Sequence, residues 1–461
     1  MSQARGGMTS SRTNAAEGPV PAREVARLAL PALPVLAAEP LYVLVDTAVV
    51  GRLGALPLAG LAVAGVMFAQ VTSQLTFLSY GTTARAARLH GAGRRSAAVG
   101  EGVQATWLAL AVGLVVLAVG QVVAPWVAGA LGGSGEIADA AVSWLRIALF
   151  GAPLVLVTLA GNGWMRGVHD TVRPMRYVLA GNGLSALACP VLVHGIGGWD
   201  GWGLEGSAVA NVGAQVVVAV LFLVALLRER SAAPGDDPVS LRPHLRLIRA
   251  QLGLGRDLVL RSLSFQACFL SATAVAARFG APSVAAHQIV LQLWTFQSLT
   301  LDAVAIAAQA LVGSALGAGG VGRARAVAGQ IARYGTVIGL LCGIAFAALY
   351  FVLPGVFTQD AAVLAVVPVA WWFFAALQPV GGLVFALDGV LLGAGDAAYL
   401  RTTTLLSAAV GFLPMIWLSL AFGWGLAGIW TGLSLFMLGR LAAVTLRTRS
   451  GRWAVAGAVR P

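Results

Sequence analysis

The sequence predicts an all-α integral membrane protein: 12 transmembrane helices in two six-helix lobes, related by a parallel repeat about a pseudo-twofold axis along the membrane normal. Three observations predict it. Of the 461 residues, 58% are hydrophobic and 10% are charged, and the mean hydropathy is +0.84, far from a soluble domain's mix. Apolar stretches long enough to cross a hydrocarbon core of about 30 Å recur from residue 27 to residue 450. The two halves of the chain also share landmarks at a fixed offset.

Six spans are expected at residues 25–50, 56–88, 97–130, 138–166, 173–196 and 204–228, and six more at 250–279, 282–315, 324–357, 361–393, 397–422 and 425–446. The 58 glycines fit this reading, because small residues let helices approach closely in lipid. Residues 1–22 are polar and lack an apolar h-region, so they read as a disordered tail before an uncleaved first span. An N-lobe then covers 23–230. A linker rich in charge, proline and glycine covers 231–248, a C-lobe 249–448, and a second tail 449–461.

Arginines mark orientation. Arg5, Arg12, Arg23 and Arg27 precede the first span; Arg85, Arg88, Arg94 and Arg95 follow the second, and Arg166, Arg173 and Arg176 the fourth. The linker, Arg323 with Arg325, Arg401, and the group Arg440, Arg447, Arg449, Arg452 and Arg460 continue the alternation. The positive-inside rule then puts both termini in the cytoplasm, in the cell's inner membrane. Basic residues that alternate along the chain explain its net charge of +12 without nucleic acid, and anionic lipid headgroups are the expected partner. Cys189, Cys268 and Cys342 lie in apolar stretches without paired spacing, which suggests packing and neither a disulfide framework nor a metal site.

The repeat is legible position by position. At one constant offset, Arg52-Leu53-Gly54-Ala55 returns as Arg278-Phe279-Gly280-Ala281, Gly91-Ala92-Gly93 as Gly317-Ala318-Gly319, Pro153 as Pro379, and Gly167 with Asp170 as Gly393 with Asp396. Near the end of each half, Gly203-Leu204-Glu205-Gly206 parallels Gly425-Leu426-Ala427-Gly428 at an offset shorter by four. Six spans is an even number, so both halves start on the same side and the repeat is parallel.

Leu44-Val45-Asp46-Thr47-Ala48-Val49-Val50-Gly51-Arg52-Leu53-Gly54 resembles the first-helix motif of multidrug and toxic compound extrusion (MATE) transporters, in particular the DinF-like branch. Arg256-Asp257-Leu258-Val259-Leu260-Arg261-Ser262 resembles the start of that branch's seventh helix. Ala286-His287-Gln288 and Leu301-Asp302-Ala303 resemble its eighth, and Gly161-Asn162-Gly163 its fourth. The resemblance implies a cation antiporter that expels small organic compounds, commonly cationic or amphipathic, by alternating access. It needs no cofactor beyond the coupling ion, H⁺ or Na⁺, and is expected to work as a monomer.

The residues indicate where coupling would reside. A carboxyl group buried in lipid is costly to ionise unless a cation compensates, so it suits proton gain and loss. Asp46 meets that description, a hydrogen-bonded structural carboxylate being its alternative role, with Glu39 two turns earlier on nearly the same face. Asp46 aligns in the repeat with Ala272 and Glu39 with Phe265, so shared packing requires neither acid. Glu39 precedes Pro40, and bonding backbone groups freed by that proline is its alternative role. Pro31, Pro34 and Pro40 each favour a bend in the first helix; by resemblance, Pro31 stands where some family members bend it on protonation. The family commonly has an Asn and an Asp one turn apart in helix 5; Ser185 and Cys189 stand there instead. Asn162, Asn182, Ser185 and Asn211 are candidates for a reduced polar network around Asp46, or for ordinary helix–helix hydrogen bonds. Few oxygen ligands beside Asp46 favour H⁺ over Na⁺.

In the C-lobe the candidates are Asp302 and Asp388, with Arg261, Gln266, His287 and Gln309 as polar company. Asp388 resembles a functional acid of the NorM branch, yet it aligns with Asn162, so a structural role is equally open. Arg261 is expected to pair with Asp302 or Asp388, which would lock that acid in its ionised form. His287 is expected near the outer end of its span, in packing or interfacial hydrogen bonds. Trp164, Trp294, Phe296, Trp371, Trp372 and Phe373 are candidates either for a cavity lining or for packing. A lipid-linked oligosaccharide flippase of the same wider superfamily is the alternative function. An enzyme is not expected, since no DDxxD, HExxH, GxSxG or P-loop pattern occurs.

Overall fold

The computed structural model describes residues 20–132, 135–231 and 239–459. Twelve helices are long and apolar enough to span a membrane: α1 Ala22–Gly51, α2 Ala55–Gly91, α3 Arg95–Leu131, α4 Glu136–Gly167, α5 Val172–His194, α6 Leu204–Arg230, α7 Leu245–Arg278, α8 Ala281–Gly317, α9 Val321–Leu349, α10 Ala361–Gly393, α11 Ala397–Phe422 and α12 Gly425–Ser450. Among the described residues the sole sheet-like feature is an isolated bridge between Ile196 and Trp199.

Proline explains most of the interruptions. α1 divides into Ala22–Ala29 and Ala32–Gly51, with Pro31 at the junction. Pro34 falls in the first turn of the second piece, where its missing N–H has no helical partner to lose. Pro40 sits inside that piece without breaking it. Of the three expected hinge prolines, then, Pro31 alone coincides with a break. In α11 the helix widens to a π turn at Ala408–Phe412 just before Pro414, a usual response to a proline's lost hydrogen bond.

The chain forms two compact units, divided at α1's break and within α7: Leu30–Gly255 is one, and the described residues up to Ala29 join Arg256 onward in the other. These boundaries differ from the expected 23–230 and 249–448, and packing gives the reason. The first piece of α1 buries Val25 and Leu28 and packs on α8, while Gln330 donates to the Val20 carbonyl at 2.7 Å. The described part of the linker, from residue 239, stays with the N-lobe. Gln104 donates to Arg242 O (3.0 Å) and accepts from the His244 N–H (2.7 Å), and Trp107 donates to Leu241 O (2.7 Å). The tail expected at 449–461 folds back against the protein through Val459. Trp453 is fully buried, and the Gly457 N–H bonds Leu316 O at 3.0 Å. Residues 1–19, 232–238 and 460–461 of the expected tails and linker lie outside the described residues.

Within each unit the same helix crossings recur, and glycine makes them possible. A Cβ on Gly163 would lie 2.4 Å from Ser79 O, and one on Gly389 2.4 Å from Ala305 O. Gly389 and Ala305 are the repeat counterparts of Gly163 and Ser79. Gly167 meets Thr83 O and Gly393 meets Gln309 O in the same way, at 2.9 and 2.5 Å. Gly113 faces Pro153, and Gly339 faces Pro379. Thus α2 crosses α4, and α8 crosses α10, along a Gly-x-x-x-Gly strip that brings the backbones together. The repeat seen in sequence is a repeat of packing.

Candidate ion-coupling sites

In the N-lobe, α1 buries Ala38, Tyr42, Asp46 and Val50, and α5 buries Gly181, Ser185, Cys189 and Val193. Both sets are spaced by four, so each is one helix face, and the two helices pack together. Asp46, 5% exposed, is thereby removed from solvent. Its Oδ1 accepts from the Ser207 hydroxyl at 2.6 Å and from the Cys189 thiol at 3.3 Å. Ser207 Oγ accepts in turn from Trp144 Nε1–H at 3.1 Å, so the serine proton is the one directed at the carboxylate. Tyr42 turns its hydroxyl toward Ser185 and Asn211, close enough to interact but outside good hydrogen-bond geometry.

The candidates therefore separate. Ser185 and Asn211 come together at the Tyr42 hydroxyl, and Asp46 lies close enough to that tyrosine to interact with it. Asn182 donates to Val178 O of its own helix at 3.0 Å, and Asn162 keeps its buried Oδ1 without a partner. Neither belongs to the groups bonded to Asp46. Glu39 is exposed at the surface of its helix, and its carboxylate lies close enough to Asp46 for the two charges to interact. Cys189, expected to be a packing residue, is a hydrogen-bond donor instead.

The C-lobe has a different chemistry. Asp388 on α10 is 4% exposed, and its Oδ2 accepts from both Arg261 of α7 and Arg440 of α12. Both guanidiniums also lie over the Phe265 ring, 5.6 and 4.6 Å from its centroid. The expected partner of Arg261 is thus Asp388, and a second arginine joins it. Arg440, read from sequence as part of the cytoplasmic flank, is 3% exposed and belongs to this cluster. Asp302 and Gln266 are half-buried, whereas Gln309 is buried at the α8–α10 glycine contact. His287 is fully buried against Trp430, 5.9 Å between ring centroids, and neither ring nitrogen has a partner. Its position is packing, not an interfacial hydrogen bond. Trp164 and Trp371 are core residues, Trp294 and Phe373 pack against the core, and Phe296 and Trp372 are exposed.

Sequence reasoning missed Tyr42, Trp144, Ser207 and Arg440. The repeat contained a signal for two of them: in the register of the last helix of each half, Ser207 corresponds to Ile429 and Arg440 to Val218. In each case a polar group faces an apolar counterpart that is also buried.

The MatE family model matches residues 31–191 and again 258–418, one stretch in each half of the chain. DETOXIFICATION 44, chloroplastic, of Arabidopsis thaliana is 34% identical over 453 residues, covering 93% of this chain and 83% of that protein. DNA damage-inducible protein F of Escherichia coli (strain K12) is 29% identical over 438 residues, covering 92% of each chain. Among solved structures, a MATE transporter in a bent conformation superposes with a TM-score of 0.84 at 21% identity, over 93% of this chain and 94% of that one. With a duplicated match spanning more than half of its length, this multi-pass membrane transporter belongs to the MatE family and has DinF-like relatives.

Proposed function

We propose that the protein exports small, amphipathic or cationic organic compounds in exchange for H⁺, and that Asp46 is the group that carries the proton. The observation that supports this reading is the character of its partners: the groups bonded to this buried carboxylate are a hydroxyl and a thiol, both uncharged. A buried acid without a bonded cation has no fixed reason to stay ionised, so its protonation can follow the side to which it is open. The same partners favour H⁺ over Na⁺, because a hard cation prefers several oxygen ligands and a thiol supplies none.

Asp388 is a poor alternative carrier. Two guanidiniums bond one oxygen of its carboxylate, so its charge is compensated by a fixed ion pair, unlike that of Asp46. The break at Pro31, between α1's first piece and the piece that holds Asp46, is the place where that helix would bend. The alternating arginines support an orientation with both termini in the cytoplasm of an inner membrane.

Reconstitution tests the reading directly. In liposomes, an imposed H⁺ gradient should drive uptake of a fluorescent organic cation by inverted protein, and a Na⁺ gradient at matched pH should not. Transport driven equally well by Na⁺ alone would overturn the choice of ion, and no transport with either gradient would overturn the antiport reading.

A further inference from the structure

The segment at residues 239–249, between α6 and the body of α7, carries an exposed basic row that the transport reading does not use. Arg242, Arg246 and Arg249 are all exposed, as are Leu241 and Leu245, and residues 239–250 contain no acid. The segment is fixed to the N-lobe and does not hang free. Arg230 donates to Val239 O at 2.7 Å, Gln104 clamps Arg242 O and the His244 N–H, and Trp107 donates its indole N–H to Leu241 O. These bonds use backbone groups of the segment and leave its three arginine side chains to the surroundings.

Trp107 also sets the depth. It lies on the exposed side of α3 together with Leu114, Val115, Val122 and Trp126. Trp107 and Trp126 are 43% and 71% exposed, and the helix between them is about 28 Å long, close to the thickness of a hydrocarbon core. Exposed tryptophans at both ends of such a stretch are the usual markers of the two membrane interfaces. A segment bonded to the Trp107 indole therefore runs at headgroup level. Guanidinium groups there face phosphate, with which they form short, charge-assisted hydrogen bonds.

We propose that residues 239–249 form a docking site for anionic phospholipid headgroups, in which Arg242, Arg246 and Arg249 hold the phosphate region while Leu241 and Leu245 enter the acyl boundary. The site would anchor the connection between the two halves to the membrane surface. The full-length protein, purified in detergent with an equimolar mixture of phosphatidylglycerol and phosphatidylcholine, tests this by native mass spectrometry. Wild type should retain phosphatidylglycerol in excess. R242Q/R246Q/R249Q should lose most of that excess, about fivefold per arginine removed, and the triple lysine variant should keep it. An unchanged lipid ratio in the glutamine variant overturns the proposal, and so does a lysine variant as unselective as the glutamine one. If the triple glutamine variant fails to fold, R246Q alone decides: about a fivefold fall supports the site, and no change refutes it. Proton-driven transport is a separate readout, so failure here leaves the role of Asp46 untouched.

Discussion

Asp46 and Asp388 are both buried carboxylates on membrane helices, one in each lobe, yet one is bonded by a hydroxyl and a thiol and the other by two guanidiniums. The lobes share their helix crossings position for position, as the matching contacts of Gly163 with Ser79 and of Gly389 with Ala305 demonstrate. Around these two buried acids, however, the charged groups of one lobe have no charged equivalent in the other. Asp46 corresponds to buried Ala272, Tyr42 to buried Cys268 and Ser207 to buried Ile429. Conversely, Asp388 corresponds to Asn162 and Arg440 to Val218. A duplicated frame keeps the backbone close-packed in both halves, and each half then places charge where the other has a neutral side chain. Under the proposed function the difference separates two uses of a buried acid: one changes its charge, the other is held in an ion pair that ties three helices together.

The largest expected effect breaks the first use. Asp46→Asn keeps the shape and the hydrogen bond from Ser207 but cannot change charge, so H⁺-driven efflux should fall to background while the protein stays folded. Liposome uptake under an imposed pH gradient, with circular dichroism as the folding control, measures this. Efflux at the wild-type rate would end the comparison, because Asp46 would then be as static as Asp388.

Asp388→Asn should break the second use and leave the first. It strands two guanidiniums in the C-lobe, and breaking such a buried pair costs about 3–5 kcal/mol. A marked drop in thermal unfolding midpoint should follow, while the fraction that folds keeps its dependence on the H⁺ gradient. A stable Asp388→Asn protein that has lost coupling would reverse the assignment.

The fold and the two acids were legible in the sequence for one reason: each contrasts with lipid. Spans stand out as apolar runs, the duplication stands out through glycine and proline landmarks, and Asp46 stands out as a charge inside a span. Ser207, Trp144, Tyr42 and Cys189 do not contrast with anything. Small neutral residues and aromatics are ordinary in membrane helices, and only the packing of α1 on α5 and α6, and of α4 on α6, brings these four to one carboxylate or its neighbours. Arg440 was misread because arginines near the end of a span are expected to flank it. Nearly three helical turns still separate it from the end of α12 at Ser450, far enough for the side chain to lie in the core. The lobe boundaries were hidden too, since the first turns of α1 and the described part of the linker belong to whichever half they pack against.

The two neutral donors to Asp46 offer a finer division, and Ser207 should be the stronger. Its hydroxyl lies 2.6 Å from Oδ1 and is oriented by the Trp144 indole, which needs the same oxygen as its acceptor. Ser207→Ala therefore strands a buried N–H as well as removing a donor, a loss of about 1–3 kcal/mol. The rate of H⁺-driven efflux should fall about tenfold if that energy is expressed mainly in positioning Asp46.

Cys189→Ala should have the smallest effect. A thiol is a weak donor, and at 3.3 Å it adds little to what Ser207 supplies. Efflux should change by less than about twofold, and Cys189→Ser should match or exceed wild type, because a hydroxyl at that position is a better donor to the same oxygen. Initial rates at a fixed H⁺ gradient distinguish these variants. A Cys189→Ala loss as deep as that of Ser207→Ala would mean that the thiol, standing where relatives of this type commonly have a carboxylate, is a partner equal to Ser207 in holding Asp46. The N-lobe site would then depend on α5 as much as on α6.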